Sequence, residues 1–285
     1  MRVVYSENRA AWALAAMLLL GAGPTFAQVN LAGVWNPNYS EDAPDRIPGP
    51  ELGDYAGLPL NAANRMRAQS WSASILSLPD YQCRVHPSDY ANSFANIRIW
   101  DEIDTSTQQL VAIKLQHFAW NTVRTIWMDG RPHPPPYAQH TSMGFSTGEW
   151  NGQVLKVTTT HLKEGWLRRN GVARSDAATV TEHFIRHDDY LTWNVFVQDP
   201  KYLEEPFFRN REYKIAAVGS IGAYPCESVI EVVLPESYFP HYLPGQNPFL
   251  IEFARNHGIP FEAAMGGAET MYPEYVKKLA ELPRP

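Results

Sequence analysis

The chain has 285 residues, 45% apolar and 12% aromatic, enough for one broad core or two modest ones. Its formal net charge of −6 argues against nucleic acid and anionic membrane as partners. With 23 prolines, long uninterrupted helices are excluded, and the aromatic content favours a β-rich fold.

In chain order, Arg2 and Arg9 precede a short apolar run at 10–23, and Thr25, Phe26 and Ala27 stand where a signal peptidase reads. Residues 1–27 therefore read as a secretory signal cleaved after Ala27, with an uncleaved anchor as the alternative. The mature protein is expected in the periplasm or outside the cell, with 22 basic residues against 29 acidic ones, a net of −7. No later stretch could span a bilayer. An oxidising compartment makes Cys83 and Cys226, the only cysteines, a candidate long-range disulfide; two buried thiols are the alternative.

Residues 31–35, Leu-Ala-Gly-Val-Trp, open a first strand. Their Gly-x-Trp resembles the entry signature of lipocalin-type barrels, which implies that Trp35 plugs a closed end. Residues 28–95 are otherwise read as an irregular arm, rich in Pro, Asp and Gly, with one helix within 58–76 capped by Asn61.

The β signal begins at 96. Ile97, Ile99 and Ile103 alternate with polar residues, 110–115 makes the next strand, and 118–128 a third. Phe118, Trp120, Ile126 and Met128 share a face of that third strand, and Arg124 shares it with them. Asp129-Gly130 then reads as a hairpin turn. A Pro-rich loop at 132–143 holds His133 and His140, with Arg131 just before it, where binding groups gather at a barrel mouth.

The segment 144–193 carries the clearest pattern: alternation at 153–161, a Gly- and Arg-bearing connection at 165–176, and alternation again at 178–186. This is a β-hairpin with a long loop. Leu155, Val157, Thr159 and His161 are expected on one face. In the returning strand Val180 and Phe184 share a face with Glu182, a carboxylate where a core residue belongs. Leu191, Trp193, Val195 and Val197 point inward from 190–198, and 207–215 and 228–234 are expected as the last strands. After Pro235, short helices at 249–256, 260–265 and 273–282 form a covering tail.

Together these predict a mainly β fold, an antiparallel up-and-down β-barrel of lipocalin-like type at 96–234 with a helical tail at 235–285. Closure removes exposed strand edges. A β-sandwich is the alternative.

The blocks Thr125–Pro134, Gly144–Gly152, Leu155–His161 and Arg174–His183 resemble those of a large family of secreted bacterial proteins of unassigned activity. The resemblance implies export and a β-rich fold, and names no catalytic residue. Gln153 departs from it, since Asp is expected after Gly152.

Burying Arg124 or Glu182 alone is costly, so the two are expected to pair across the interior. Such a pair either fixes the strand register or holds a ligand's polar end. His161 is the next candidate for acid–base chemistry beside Glu182. Trp120, Trp193, Arg131, His133 and His140 are candidate binding residues. No metal is expected, because the histidines lack ligand spacing, and no cofactor, because phosphate-cradling and dinucleotide loops are missing. A Gly-x-Ser-x-Gly elbow is missing too.

Three functions fit this reading. The first is a binding barrel for a small hydrophobic or aromatic molecule, favoured because no strong catalytic signature is present. The second is a cofactor-free isomerase, hydratase or cyclase using Glu182 and His161 on a hydrophobic substrate. The third is a structural envelope protein whose barrel is filled by side chains.

Overall fold

The computed structural model describes residues 29–38, 50–91 and 96–284. The expected signal at 1–27 lies outside them. The chain is mainly β, built on a closed nine-stranded barrel.

The barrel strands are β1 (Gly33–Pro37), β2 (Ile97–Ile103), β3 (Leu110–His117), β4 (Thr122–Trp127), β5 (Phe145–Asn151), β6 (Val154–Thr160), β9 (Thr179–His187), β10 (Tyr190–Gln198) and β11 (Phe207–Ile215). β1 closes the barrel by pairing with both β2 and β11, so the barrel starts before residue 96. Two short strands, β7 (Gly165–Trp166) and β8 (Ala173–Arg174), form a separate ribbon inside the β6–β9 connection. Closure excludes the sandwich.

Neighbouring barrel strands are antiparallel except β4 and β5, which run parallel. Asp129-Gly130 therefore makes no hairpin, in correction of the expectation. The prolines at 132 and 134–136 have no N–H for a returning ladder, and residues 128–144 cross over instead. The expected strand at 228–234 is also absent. Both edges of β11 are occupied, by β10 and β1, so no barrel edge is left to pair it. Val229, Ile230, Val232 and Val233 are exposed in an irregular segment.

The period-two pattern fills the interior. Trp35, Ile97, Ile99, Leu115, Ile126, Leu155, Val157, Phe184, Trp193 and Tyr213 are all buried. Trp35 Nε1 donates to Leu31 O (2.9 Å), and the Arg186 guanidinium lies 5.2 Å over its ring. Gly148 faces the same interior. A Cβ there would sit 2.6 Å from Met128 Sδ and 3.0 Å from Ile126 Cγ2, so this side of the bore is filled.

Outside the barrel, the helix Ala62–Gln69 starts at Asn61, whose side chain accepts from Asn64 N. Buried Asn64 exchanges two hydrogen bonds with Ala173 of β8, 2.8 and 3.0 Å, which ties the arm to the ribbon. The tail packs on the arm: Tyr55 N donates to Ala264 O, Gly57 N to Gly267 O, and Asn247 Nδ2 to the carbonyls of Gln69 and Trp71. Its helices are Glu252–His257, Phe261–Ala264 and Pro273–Leu279. Cys83 and Cys226 are disulfide-bonded, closing a span of 143 residues. Among the described residues no helix is long and apolar enough to cross a membrane.

Candidate functional site

Two places gather chemistry. In the bore, Arg124 on β4 and Glu182 on β9 meet across β5 and β6. Arg124 Nη1 donates to Glu182 Oε1 (2.9 Å), Nη2 to Glu182 Oε2 and to Thr159 Oγ1 (2.6 Å), and Nε to Ser146 Oγ (3.0 Å). Trp193 Nε1 donates to Glu182 Oε1 at 3.1 Å. The side chains of the pair are 0% and 1% exposed. Both carboxylate oxygens already have donors, so the arrangement has the form of a register-fixing ion pair with little left to offer a ligand.

Beside it lies a residue that the sequence reading passed over. His117, last in β3, is fully buried, its ring stacked on Trp193 at 6.0 Å. Neither ring nitrogen has a hydrogen-bond partner, and Thr122 Oγ1, from its cross-strand neighbour, has none either. Burial, reinforced by the charge of Arg124, pushes the His117 pKa down to about 3. Extending the Ile113, Leu115 alternation by one step would have found it.

The low pKa has a signed consequence. The folded ring stays neutral while the unfolded one protonates below its ordinary 6.5, so the stability this gives is complete above pH 6.5 and falls away towards pH 3. Each such proton tilts stability by about 1.4 kcal/mol per pH unit. His117→Leu should remove one proton from the acid slope of urea-derived unfolding free energies and leave pH 7 stability equal or higher. An unchanged slope would contradict the buried neutral ring.

The other predicted residues lie elsewhere. His161 does not share the inner face with Thr159, which corrects the expectation. β6 stops at Thr160, where residues 141–144 cross its end: Thr141 N donates to His161 O, and Lys163 N to Thr141 O. His161 there takes a left-handed φ of 57°. Its Nε2 lies 3.0 Å from Pro135 O and its ring 5.1 Å from His140, outside the bore that holds Glu182. The two cannot act on one ligand atom.

His133 bridges Thr160 Oγ1 and Thr147 Oγ1 (2.7 and 2.9 Å) on the outer side of β5 and β6. His140 contacts Leu162 O at 3.1 Å. Arg131 pairs with Asp129 and lies 3.5 Å over the Trp127 ring. Trp120 is not on the inner face of a strand either: it sits in a 3-10 turn, Ala119–Asn121, with φ 61°. That turn aims its ring at His86, 4.5 Å away.

His86 leads to the second place, a cleft of about 450 Å³ outside the barrel. Its walls come from the end of the arm helix (Ser70–Ser72), the irregular stretch 84–87, the ribbon (Gly165, Trp166) and the tail (Phe239–His241). Trp71 meets Trp166 edge-on at 5.2 Å, and Trp166 lies 4.7 Å from His86. Trp71 bridges His241 backbone to backbone, which holds the tail wall in place. Gly171 permits the close approach on the other side, since a Cβ there would lie 2.5 Å from Trp71 Cβ.

The floor rests on a second buried ion pair. Arg174 Nε donates to Asp89 Oδ2 (2.9 Å), Nη1 to Ser175 O and Nη2 to Lys163 O. Burial first, then the charges of Arg169 and Arg84, lower the His86 pKa to about 4, so His86 is a neutral aromatic wall at pH 7. The wall segments come from three distant parts of the chain, 70–87, 165–166 and 239–241, and no periodicity relates them.

No protein-family model matches the chain, and no curated protein matches it. Among solved structures, it is similar to the crystal structure of fluorescent protein UnaG wild type. Identity is 10%, the TM-score is 0.28, and the match covers 65% of this chain and 97% of that one.

Among the described residues no group of three or more His, Cys, Asp or Glu is placed to hold a metal ion. Aromatic rings on all four walls of the cleft and hydroxyls of Ser70, Ser72 and Ser142 suit a flat molecule with a polar edge.

Proposed function

We propose that this chain is an exported protein that binds a small aromatic molecule in the cleft between arm, ribbon and tail, with the barrel as its rigid support. The observation that carries this is the cleft of about 450 Å³ walled by Trp71, Trp166 and His86, a size within the range of small-molecule sites. Export is supported by the basic-then-apolar opening of the sequence and by the Cys83–Cys226 disulfide, since such bonds persist in oxidising compartments.

This moves the ligand out of the bore. There Arg124 and Glu182 satisfy each other, and Met128, Ile126 and Leu155 crowd Gly148. A filled bore alone would suit a structural envelope protein, and the open cleft is what favours a ligand. Catalysis by Glu182 with His161 is not proposed, because the two residues face different environments.

Native mass spectrometry of protein purified from the periplasm should show a co-purifying small molecule. Trp166→Ala should lose it, with affinity falling about thirtyfold, the effect of removing an aromatic anchor worth roughly 2 kcal/mol. Retention by Trp166→Ala, together with loss on replacing His117 or Trp193, would return the site to the bore.

A further inference from the structure

The charges around the cleft do not balance. Glu164 is the one carboxylate among its lining residues, and it is held by Arg67 and by Tyr202 Oη at 3.4 Å. That leaves Arg84 and Lys163, both exposed, with no ion-pair partner among the described residues. Arg84 lies 4.9 Å over the Tyr81 ring, so its guanidinium is turned along the cleft wall. Arg169, also exposed and unpaired, is close enough for its charge to act on His86. Within a chain of net charge −6, this is a local excess of positive charge around an aromatic floor.

An aromatic wall attracts any flat ring, whereas an unpaired cation beside it discriminates by charge. Resting on the cleft reading above, we propose that the site selects aromatic carboxylates, with the ring against Trp71, Trp166 and His86 and the carboxylate toward Arg84 and Lys163. A neutral aromatic of the same shape fills the floor equally well and leaves the cations unanswered. An aromatic amine is repelled.

The probes are 2-naphthoate and 2-naphthamide, which share a ring system and differ in charge, titrated by tryptophan fluorescence into the full mature chain. Naphthoate should bind about tenfold tighter, as two partly exposed charge contacts allow. The difference should shrink below about threefold at roughly 0.5 M sodium chloride, where screening acts over a few ångströms. It should shrink likewise in the double variant Arg84→Gln, Lys163→Met, because the affinity for naphthoate falls toward that for the amide. Both substitutions are at exposed positions outside the core, and a far-UV circular dichroism spectrum and unfolding midpoint equal to those of the wild type verify that the variant is folded.

Equal affinities for both probes, each lost in Trp166→Ala, would overturn the charge selection and keep the cleft. A naphthoate preference that survives the double variant would overturn it too. If neither probe binds, or both bind Trp166→Ala as well as wild type, the cleft reading fails and this inference fails with it.

Discussion

Arg124→Met should lower the free energy of unfolding by about 3–5 kcal/mol, because it leaves the Glu182 carboxylate buried without its counter-charge. Thr159 and Trp193 would remain as partners of Glu182, and neither is a cation. Glu182→Gln should act in the same direction, since the Arg124 guanidinium then stays charged in a dry site. The measurement is chemical unfolding with the slope m checked for constancy. The informative control removes both charges, Arg124→Met with Glu182→Leu. Stability should return most of the way to wild type, because desolvating two ions nearly cancels their attraction. Cleft binding in that double variant should be unchanged. If Arg124→Met costs under about 1 kcal/mol, the pair does not hold the register.

The same residues explain what could be read from the sequence. Strand alternation is local, so it turned Arg124 and Glu182 inward although 58 residues separate them. It turned Leu155, Val157, Val180 and Phe184 inward for the same reason. It failed where a remote segment ends a strand. His161 continues the pattern of β6 on paper, but the backbone of Thr141 takes its carbonyl. Trp120 fails similarly, because the turn at Ala119–Asn121 breaks the count before β4 starts. Residues 228–234 have strand composition, and a strand needs a free edge, which closure removes.

The cleft was illegible for a different reason. Trp71, His86, Trp166 and His241 come from four segments whose meeting depends on Asn64 joining β8, on the Trp71–His241 bridge and on packing of the tail. None of these contacts has a local sequence signature. The bond between Cys83 and Cys226, by contrast, followed from a count of two cysteines in a chain with an export-like opening.

That bond carries the second large effect. Replacing both cysteines by serine opens a cross-linked span of 143 residues, for which the loop-entropy relation gives about 5 kcal/mol. The expected loss is smaller, about 2–3 kcal/mol, because entropy is regained in the folded state as well. The stretch around Cys226 is exposed and is held besides the bond by Val229 N donating to Gln82 Oε1 (2.7 Å) and by Tyr224 packing on the rings of Phe118 and Trp120, so once released it is freer to fray. What the bond fixes most tightly is local. Cys83 ends the short helix Pro79–Gln82, and Tyr81, Arg84, Val85 and His86 around it all line the cleft. The double serine variant should therefore lose affinity for 2-naphthoate by about fivefold, beyond what its stability loss explains at temperatures where it stays folded. A loss of the full 5 kcal/mol with binding intact would mean that the bond acts on the unfolded chain alone. If neither quantity moves, the cross-link has no part in shaping the cleft, and its wall must be held by the Trp71–His241 bridge and the Arg174–Asp89 pair without it.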